Sequence, residues 1–428
     1  MNTTAASTKK KTSFWVISAL VILIGSALFS FVGSLIMLLS SVVSIAIPSP
    51  LIGNANLFST LSITTMLAVF GISGIPGIVF LIQKLSPKFQ PKTQEEQDPF
   101  NDLPFSRMML PNIILAVTIV LLTITYLVST RWEAARWILP FLQVPAVIVP
   151  VYWLVQFATR KVYPRPSKRH WIVFGLDLTV QPLLAVGAEV LLFIVMMIPV
   201  IVYLALNPEI AEQAILALQD LNTMTMTEAE LERMIASWVQ NPVVLLFIQA
   251  FVSFFVPLIE ELVKPILVFR WIKRPLTAMD GFWLGLIGGA SFSIYETFGN
   301  IANMALVEDW YFLLLTRLGT SLLHMGTTAL MGWALMKTFS DKKWFRTVWI
   351  YAAVVLLHGV WNFFAILQGL SSLPMDNPPF IFILTPIAIP MMILVGTICA
   401  AVILLGAGFI QKDQAAAQFA SAEKSEFA

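Results

Sequence analysis

The sequence predicts an all-α polytopic membrane protein of about ten spanning helices, with both termini cytoplasmic. Three observations carry that reading. Of the 428 residues 58% are hydrophobic and only 12% charged, and the mean hydropathy is +0.84, whereas soluble domains are nearer a quarter charged. Apolar runs of roughly 20 residues, the length that crosses a bilayer, recur along the whole chain. Basic residues gather in every second loop and acidic residues in the alternate ones, which orients a multi-pass protein. The net charge of +2 adds little, and nucleic acid is not an expected partner; the lipid bilayer is. The single cysteine, Cys399, excludes an intramolecular disulfide and a cysteine metal cluster.

The chain opens on Lys9, Lys10 and Lys11, followed by an apolar run to about Ile47. A secretory signal has an apolar core of only ~7–15 residues, so this run reads as a retained first span. The candidate spans lie near 14–44, 57–83, 108–129, 137–158, 174–206, 243–270, 281–304, 311–337, 347–368 and 380–410. Lys84 to Arg107, Arg160 to Arg169, Arg270 to Arg274, Lys337 to Arg346 and Lys412 fall on the cytoplasmic side with the N-terminal lysines. Glu209, Glu212, Asp220, Glu228, Glu230, Glu232, Glu308, Asp309 and Asp376 fall on the other, where Arg131 to Arg136 is the one basic exception. Trp15, Trp132, Trp137, Trp171, Trp238, Trp271, Trp283, Trp310 and Trp344 sit near predicted span ends, as an interfacial belt would.

Five parts follow. Residues 1–206 form an N-terminal accessory region of five spans, with a polar connector at 84–107. Residues 207–240 form an extracytoplasmic loop with amphipathic helices, whose apolar positions are Ile215, Leu218, Leu221, Leu231 and Ile235. Thr227 and Glu230 have capping-box spacing there. That loop reads either as a cover for a membrane site or as a solvated connector. Residues 241–370 supply four spans, 371–411 the last one, and 412–428 a flexible cytoplasmic tail.

The four spans of 241–370 each carry ionisable groups where a bilayer makes them rare. They hold Glu260, Glu261 and Lys264, then Glu296, then His324, then His358 with Asn362. A charged group at the bilayer centre costs at least ~2.5 kcal/mol by insertion scales, so such residues generally mark a site. At 1.5 Å per residue each lies roughly 15–22 Å from the cytoplasmic end of its helix, which places them in one slab. Lys264 is i+4 from Glu260 and i+3 from Glu261, so it can neutralise one carboxylate while the other accepts a proton from water. Pro265 should kink that helix. Gly285, Gly289, Phe292 and Glu296 share one face of the next span, where the glycines admit a close neighbour. Histidine N–H and asparagine amide groups can donate to the oxyanion of a tetrahedral intermediate. Two histidines with one or two carboxylates would equally satisfy a catalytic zinc, although no HExxH string is present. Glu, His and Lys in membrane helices also build proton relays, so a proton-coupled transporter is the alternative reading, and a non-catalytic membrane binding or immunity protein the third.

The strings EELVK (Glu260 to Lys264), FSIYE (Phe292 to Glu296), Arg317 leading to His324, and HGVWN (His358 to Asn362) resemble the PrsW family of intramembrane proteases. That family lies within the superfamily that includes the type II CAAX prenyl endopeptidases. The CAAX branch pattern fits less well, because Glu296 stands where that branch has histidine and Lys264 comes one position early. The resemblance covers about 245–370 and implies a four-helix catalytic core in a multi-pass protein of a prokaryotic cell membrane. It implies hydrolysis of a peptide bond in membrane-anchored proteins such as anti-sigma factors. Glu260 or Glu261 would activate the water, His358 and Asn362 would complete the oxyanion site, His324 would assist, and Glu296 would position the water or a histidine. Phe292, Lys264 and Arg317 fall to the substrate side. If the enzyme uses a metal, the expected ion is Zn2+, held by Glu261, Glu296, His324 and His358.

Overall fold

The computed structural model describes residues 14–46, scattered positions between 63 and 82, 104–132, 138–159, 168–208, 212, 228–269, 277–302 and 310–426. No strand occurs among the described residues. The helices are α1 (Phe14–Ala46), α2 (Pro104–Thr130), α3 (Leu139–Thr159), α4 (Lys168–Leu206), α5 (Glu228–Val239), α6 (Pro242–Ala250), α7 (Val256–Val263), α8 (Ile266–Phe269), α9 (Ala278–Ala302), α10 (Trp310–Asp341), α11 (Trp344–Leu370) and α12 (Ala388–Glu426). A π-helical turn, Phe251–Phe255, joins α6 to α7, and a 3-10 segment, Phe380–Ile387, leads into α12.

Seven helices among the described residues are long and apolar enough to cross a membrane, with apolar windows at Leu20–Met37, Met109–Thr130, Leu139–Thr159, His170–Leu206, Pro242–Val263, Trp344–Leu370 and Phe380–Gly406. The expected span at 57–83 is described in part, as a short apolar helix at Ile63–Ile72. The expected spans at 281–304 and 311–337 form α9 and α10, but both are too rich in Gly, Ser and Thr to pass on hydropathy. Their residues are nonetheless among the most buried of the chain. A helix enclosed by other helices need not be apolar on every face.

Several expectations need correction or fall outside this description. Trp283 is 1% exposed, so it is a core residue on α9 rather than part of an interfacial belt, while Trp132, Trp171, Trp238 and Trp344 are exposed as expected. The tail after Lys412 continues α12 as helix to Glu426; its alanine-rich composition has the highest helix propensity available. The connector at 84–107 lies almost wholly outside the described residues, as do Thr227 and the first amphipathic stretch of 207–240. The second stretch is α5, with Ala236 and Val239 buried.

Two compact units divide the chain: Met1–Val180 with Ala290–Leu318, and Gln181–Gly289 with Gly319–Ala428. In the first, α2 and α3 pack as a hairpin. Phe70 stacks on Tyr295 with ring centroids 5.4 Å apart and meets Phe298 edge-on. Gln143 on α3 donates to Thr65, and Ser34 on α1 donates to the Thr64 carbonyl at 3.3 Å.

The second unit is built on α11. A tight turn at Lys342, whose φ is +57°, reverses the chain between α10 and α11. Arg346 pairs with Asp341 across that turn at 3.0 Å. The hairpin brings His324 on α10 alongside His358 on α11. Leu323, Trp361, Val395 and Cys399 form a core where α10, α11 and α12 meet. The N-terminal half of α9 lies on α10 backbone to backbone. A Cβ at Gly285 would collide with the Thr328 carbonyl, and one at Gly289 with the His324 carbonyl. Small residues at such spacing let two membrane helices approach closely, and here the contact fixes the backbone that carries His324.

Candidate active site

α6 begins with Asn241, whose side chain accepts the Val243 N–H at 2.9 Å, and with Pro242 in its first turn. Both are strong helix-starting signals. The chain runs through the π-turn into α7, which ends at Lys264 because Pro265 follows. Pro265 breaks the helix there instead of merely kinking it, since α8 starts afresh at Ile266. The last turn of α7 thus presents Glu260, Glu261 and Lys264 together.

These three residues are 7%, 0% and 1% exposed. Lys264 Nζ lies 2.6 Å from Glu261 Oε1, 3.0 Å from Glu260 Oε2 and 2.7 Å from His324 Nδ1. An ammonium has three N–H donors and no acceptor, so all three protons are used within this cluster. His324 Nδ1 must therefore accept, which in the neutral ring leaves its proton on Nε2. His358 Nδ1 lies 2.8 Å from Glu261 Oε1. A carboxylate only accepts, so Nδ1 carries the proton and Nε2 keeps its lone pair. His358 Nε2 stands 3.8 Å from Glu260 Oε2, beyond hydrogen-bond reach. The two imidazoles meet edge to face, with centroids 5.2 Å apart.

Glu261 therefore has one oxygen anchored twice, by Lys264 and His358. Its Oε2 is buried with no hydrogen-bond partner among the described residues. One atom each of Glu260, His324 and His358 lie within 4.8 Å of one another, a grouping able to hold a metal ion. The donor types fit: two imidazoles and a carboxylate are a catalytic zinc set, and the Glu261 bond to His358 Nδ1 is the outer-shell contact that aims a ligating histidine, whereas His324 would ligate only on giving up its bond to Lys264 or its Nε2 proton. This set has Glu260 where the sequence reading placed Glu261 and Glu296.

The other motif residues have different partners. Arg317 donates from both terminal nitrogens to Glu296, at 3.1 and 2.5 Å, and from Nε to Thr297 Oγ1 at 3.2 Å. Phe292, Glu296 and Arg317 all belong to the first compact unit, whereas Glu260, Glu261, Lys264, His324, His358 and Asn362 belong to the second. Asn362 Nδ2 donates to the Val252 carbonyl at 2.9 Å. Sequence reasoning missed Tyr351, whose hydroxyl donates to the Leu258 carbonyl at 2.5 Å just before the acidic pair. It also missed the π-turn; Pro257 inside an otherwise unbroken apolar run was the available signal.

The second unit thus defines a membrane protein with a buried acid–base cluster among its helices. Residues 215–413 match the family model of the PrsW family intramembrane metalloproteases. That region is a PrsW-type protease domain, and the chain that carries it is a membrane peptidase. No curated protein and no solved structure matches the chain.

Proposed function

We propose that this protein is an intramembrane endopeptidase that cuts membrane-anchored proteins of the anti-sigma-factor kind in a prokaryotic cell membrane, using water activated by Glu261. One observation supports this above all. Two carboxylates, an ammonium and two imidazoles are bonded to one another in the buried interior of the region that matches the family.

Glu261 suits the role of general base because Oε1 is fixed by Lys264 and His358 while Oε2 remains an acceptor with no protein donor among the described residues. A water proton would pass to Oε2 as the water oxygen attacks the scissile carbonyl, and would then go from Oε2 to the departing amine as the C–N bond breaks. His324, held by Lys264 at Nδ1, offers its Nε2 proton to the developing oxyanion. Lys264 contacts both carboxylates, and its single positive charge offsets part of the cost of burying two acids side by side. Glu260, His324 and His358 would hold a zinc-type ion, in which case His324 would give a ring lone pair to the ion in place of its bond to Lys264 and its oxyanion proton. Such an ion, when bound, supplies Lewis-acid polarisation of the carbonyl and the water.

The test compares protein N-termini, by mass spectrometry, in membranes containing the wild-type chain or Glu261→Gln at equal abundance. New termini in or beside membrane spans should appear with wild type and vanish with the variant. Identical sets of termini would sink the proposal and favour solute-flux assays instead.

A further inference from the structure

The π-turn and its tie to α11 have a cause that runs through Pro257. The turn is closed by the Val256 N–H, which bonds to the Phe251 carbonyl five residues back. In that register the Val252 carbonyl would receive the N–H of residue 257. Residue 257 is proline and has none. The missing donor comes from another helix, because Asn362 Nδ2 reaches the Val252 carbonyl at 2.9 Å. One turn earlier on α11, Gly359 lies so close to the Ser253 carbonyl that a Cβ would collide with it. Glycine at that position lets α11 approach near enough for the amide to reach. Ser253 in turn donates to Gln249 Oε1 at 3.0 Å, a bond that spans the start of the turn.

The acidic pair follows within a few residues. An α-helix advances 100° per residue, so one residue inserted by the π-turn rotates everything beyond it by about 100°. Without that insertion Glu260 and Glu261 would present a different face to α10 and α11, and the bond from His358 Nδ1 to Glu261 would be lost.

We infer that Asn362 is a positioning residue, whose amide replaces the N–H that Pro257 lacks and so holds the π-turn that aims Glu261 at His358. The sequence reading put Asn362 at the oxyanion; here one of its N–H groups is committed to the backbone of α6–α7. The inference deepens the proteolytic reading, and only its catalytic consequence rests on it.

The test is a rescue. Asn362→Leu, Pro257→Ala and the double variant are purified as full chains in detergent, and each is assayed for thermal unfolding and for wild-type-dependent N-termini in membranes. Asn362→Leu alone should lower Tm and reduce cleavage about 100-fold, the scale on which an active-site displacement near 1 Å acts. In the Pro257→Ala background residue 257 regains an N–H, so the same change should lower Tm much less and cost under about 10-fold in cleavage relative to Pro257→Ala alone. Equal Tm losses in both backgrounds would overturn the inference. So would a cleavage loss that stays near 100-fold in both while the Tm loss shrinks, because Asn362 would then touch the reacting atoms. If the wild type released no termini the proteolytic reading would fail, and the Tm comparison would still decide whether Asn362 substitutes for the Pro257 donor.

Discussion

Replacing Lys264 by methionine removes the one cation common to Glu260, Glu261 and His324 while keeping the length of the side chain. Both carboxylates then stay in the interior with nothing to neutralise them, and each now lies within 3.0 Å of the Lys264 nitrogen. Two like charges about 5 Å apart at an effective dielectric near 20 repel by about 3 kcal/mol. Removing one partner of a buried ion pair typically costs 3–5 kcal/mol, so the two routes agree on about 3–5 kcal/mol. The measurement is unfolding of the purified protein in detergent, followed by denaturant or temperature. The double variant Lys264→Met with Glu261→Gln removes one orphaned charge and should recover at least about 1.5 kcal/mol of that loss. A Lys264→Met protein within about 1 kcal/mol of wild type, with the double variant no better, would refute a structural role for this cluster.

Two further expectations concern neighbouring features. Gly289→Val should destabilise by about 1–3 kcal/mol through overpacking, because a Cβ there meets the His324 carbonyl carbon at 2.6 Å and Met325 Cα at 2.8 Å. Gly299→Ala, with nothing within 4 Å of its Cβ, should leave Tm unchanged or slightly raised; equal behaviour of the two variants would rule out a close α9–α10 contact. Atomic spectroscopy of purified protein should find bound zinc reduced by Glu260→Gln and by His358→Ala but kept in Glu296→Gln, whose parent carboxylate is bonded to Arg317. Loss of zinc in Glu296→Gln with retention in Glu260→Gln would restore the ligand set read from the sequence.

Much of the candidate site was legible because bilayer energetics make each intramembrane charge conspicuous. Glu260, Glu261, Lys264, His324 and His358 stood out as single residues against apolar helices, and they are the ones that bond to each other. Partners were harder to read. The i+3 and i+4 spacings suggested that Lys264 neutralises one carboxylate, whereas its ammonium reaches both and a histidine from α10 as well. Helical spacing describes one helix at a time, and only the packed hairpin shows what the third proton meets. The role of Asn362 was hidden for the same reason, since its acceptor is a backbone carbonyl that no side-chain pattern reveals. Hydropathy marked most spans but undervalued α9 and α10, whose glycine, serine and threonine lower the average although both helices lie inside. Trp283 failed in the opposite direction: its position at a span end suggested an interface, yet it is buried, edge-on to Phe282.

The glycine contact between α9 and α10 leaves no side-chain cushion separating the two backbones. Compliance in a helix pair comes from rotameric give in the layer between the axes, and here that layer is absent along the stretch bearing His324. The two helices must translate as a unit or slide lengthwise along a rail, and His324 cannot drift sideways without dragging Gly285 and Gly289 with it. The result is a stiff imidazole, its alignment preserved by steric exclusion between main chains.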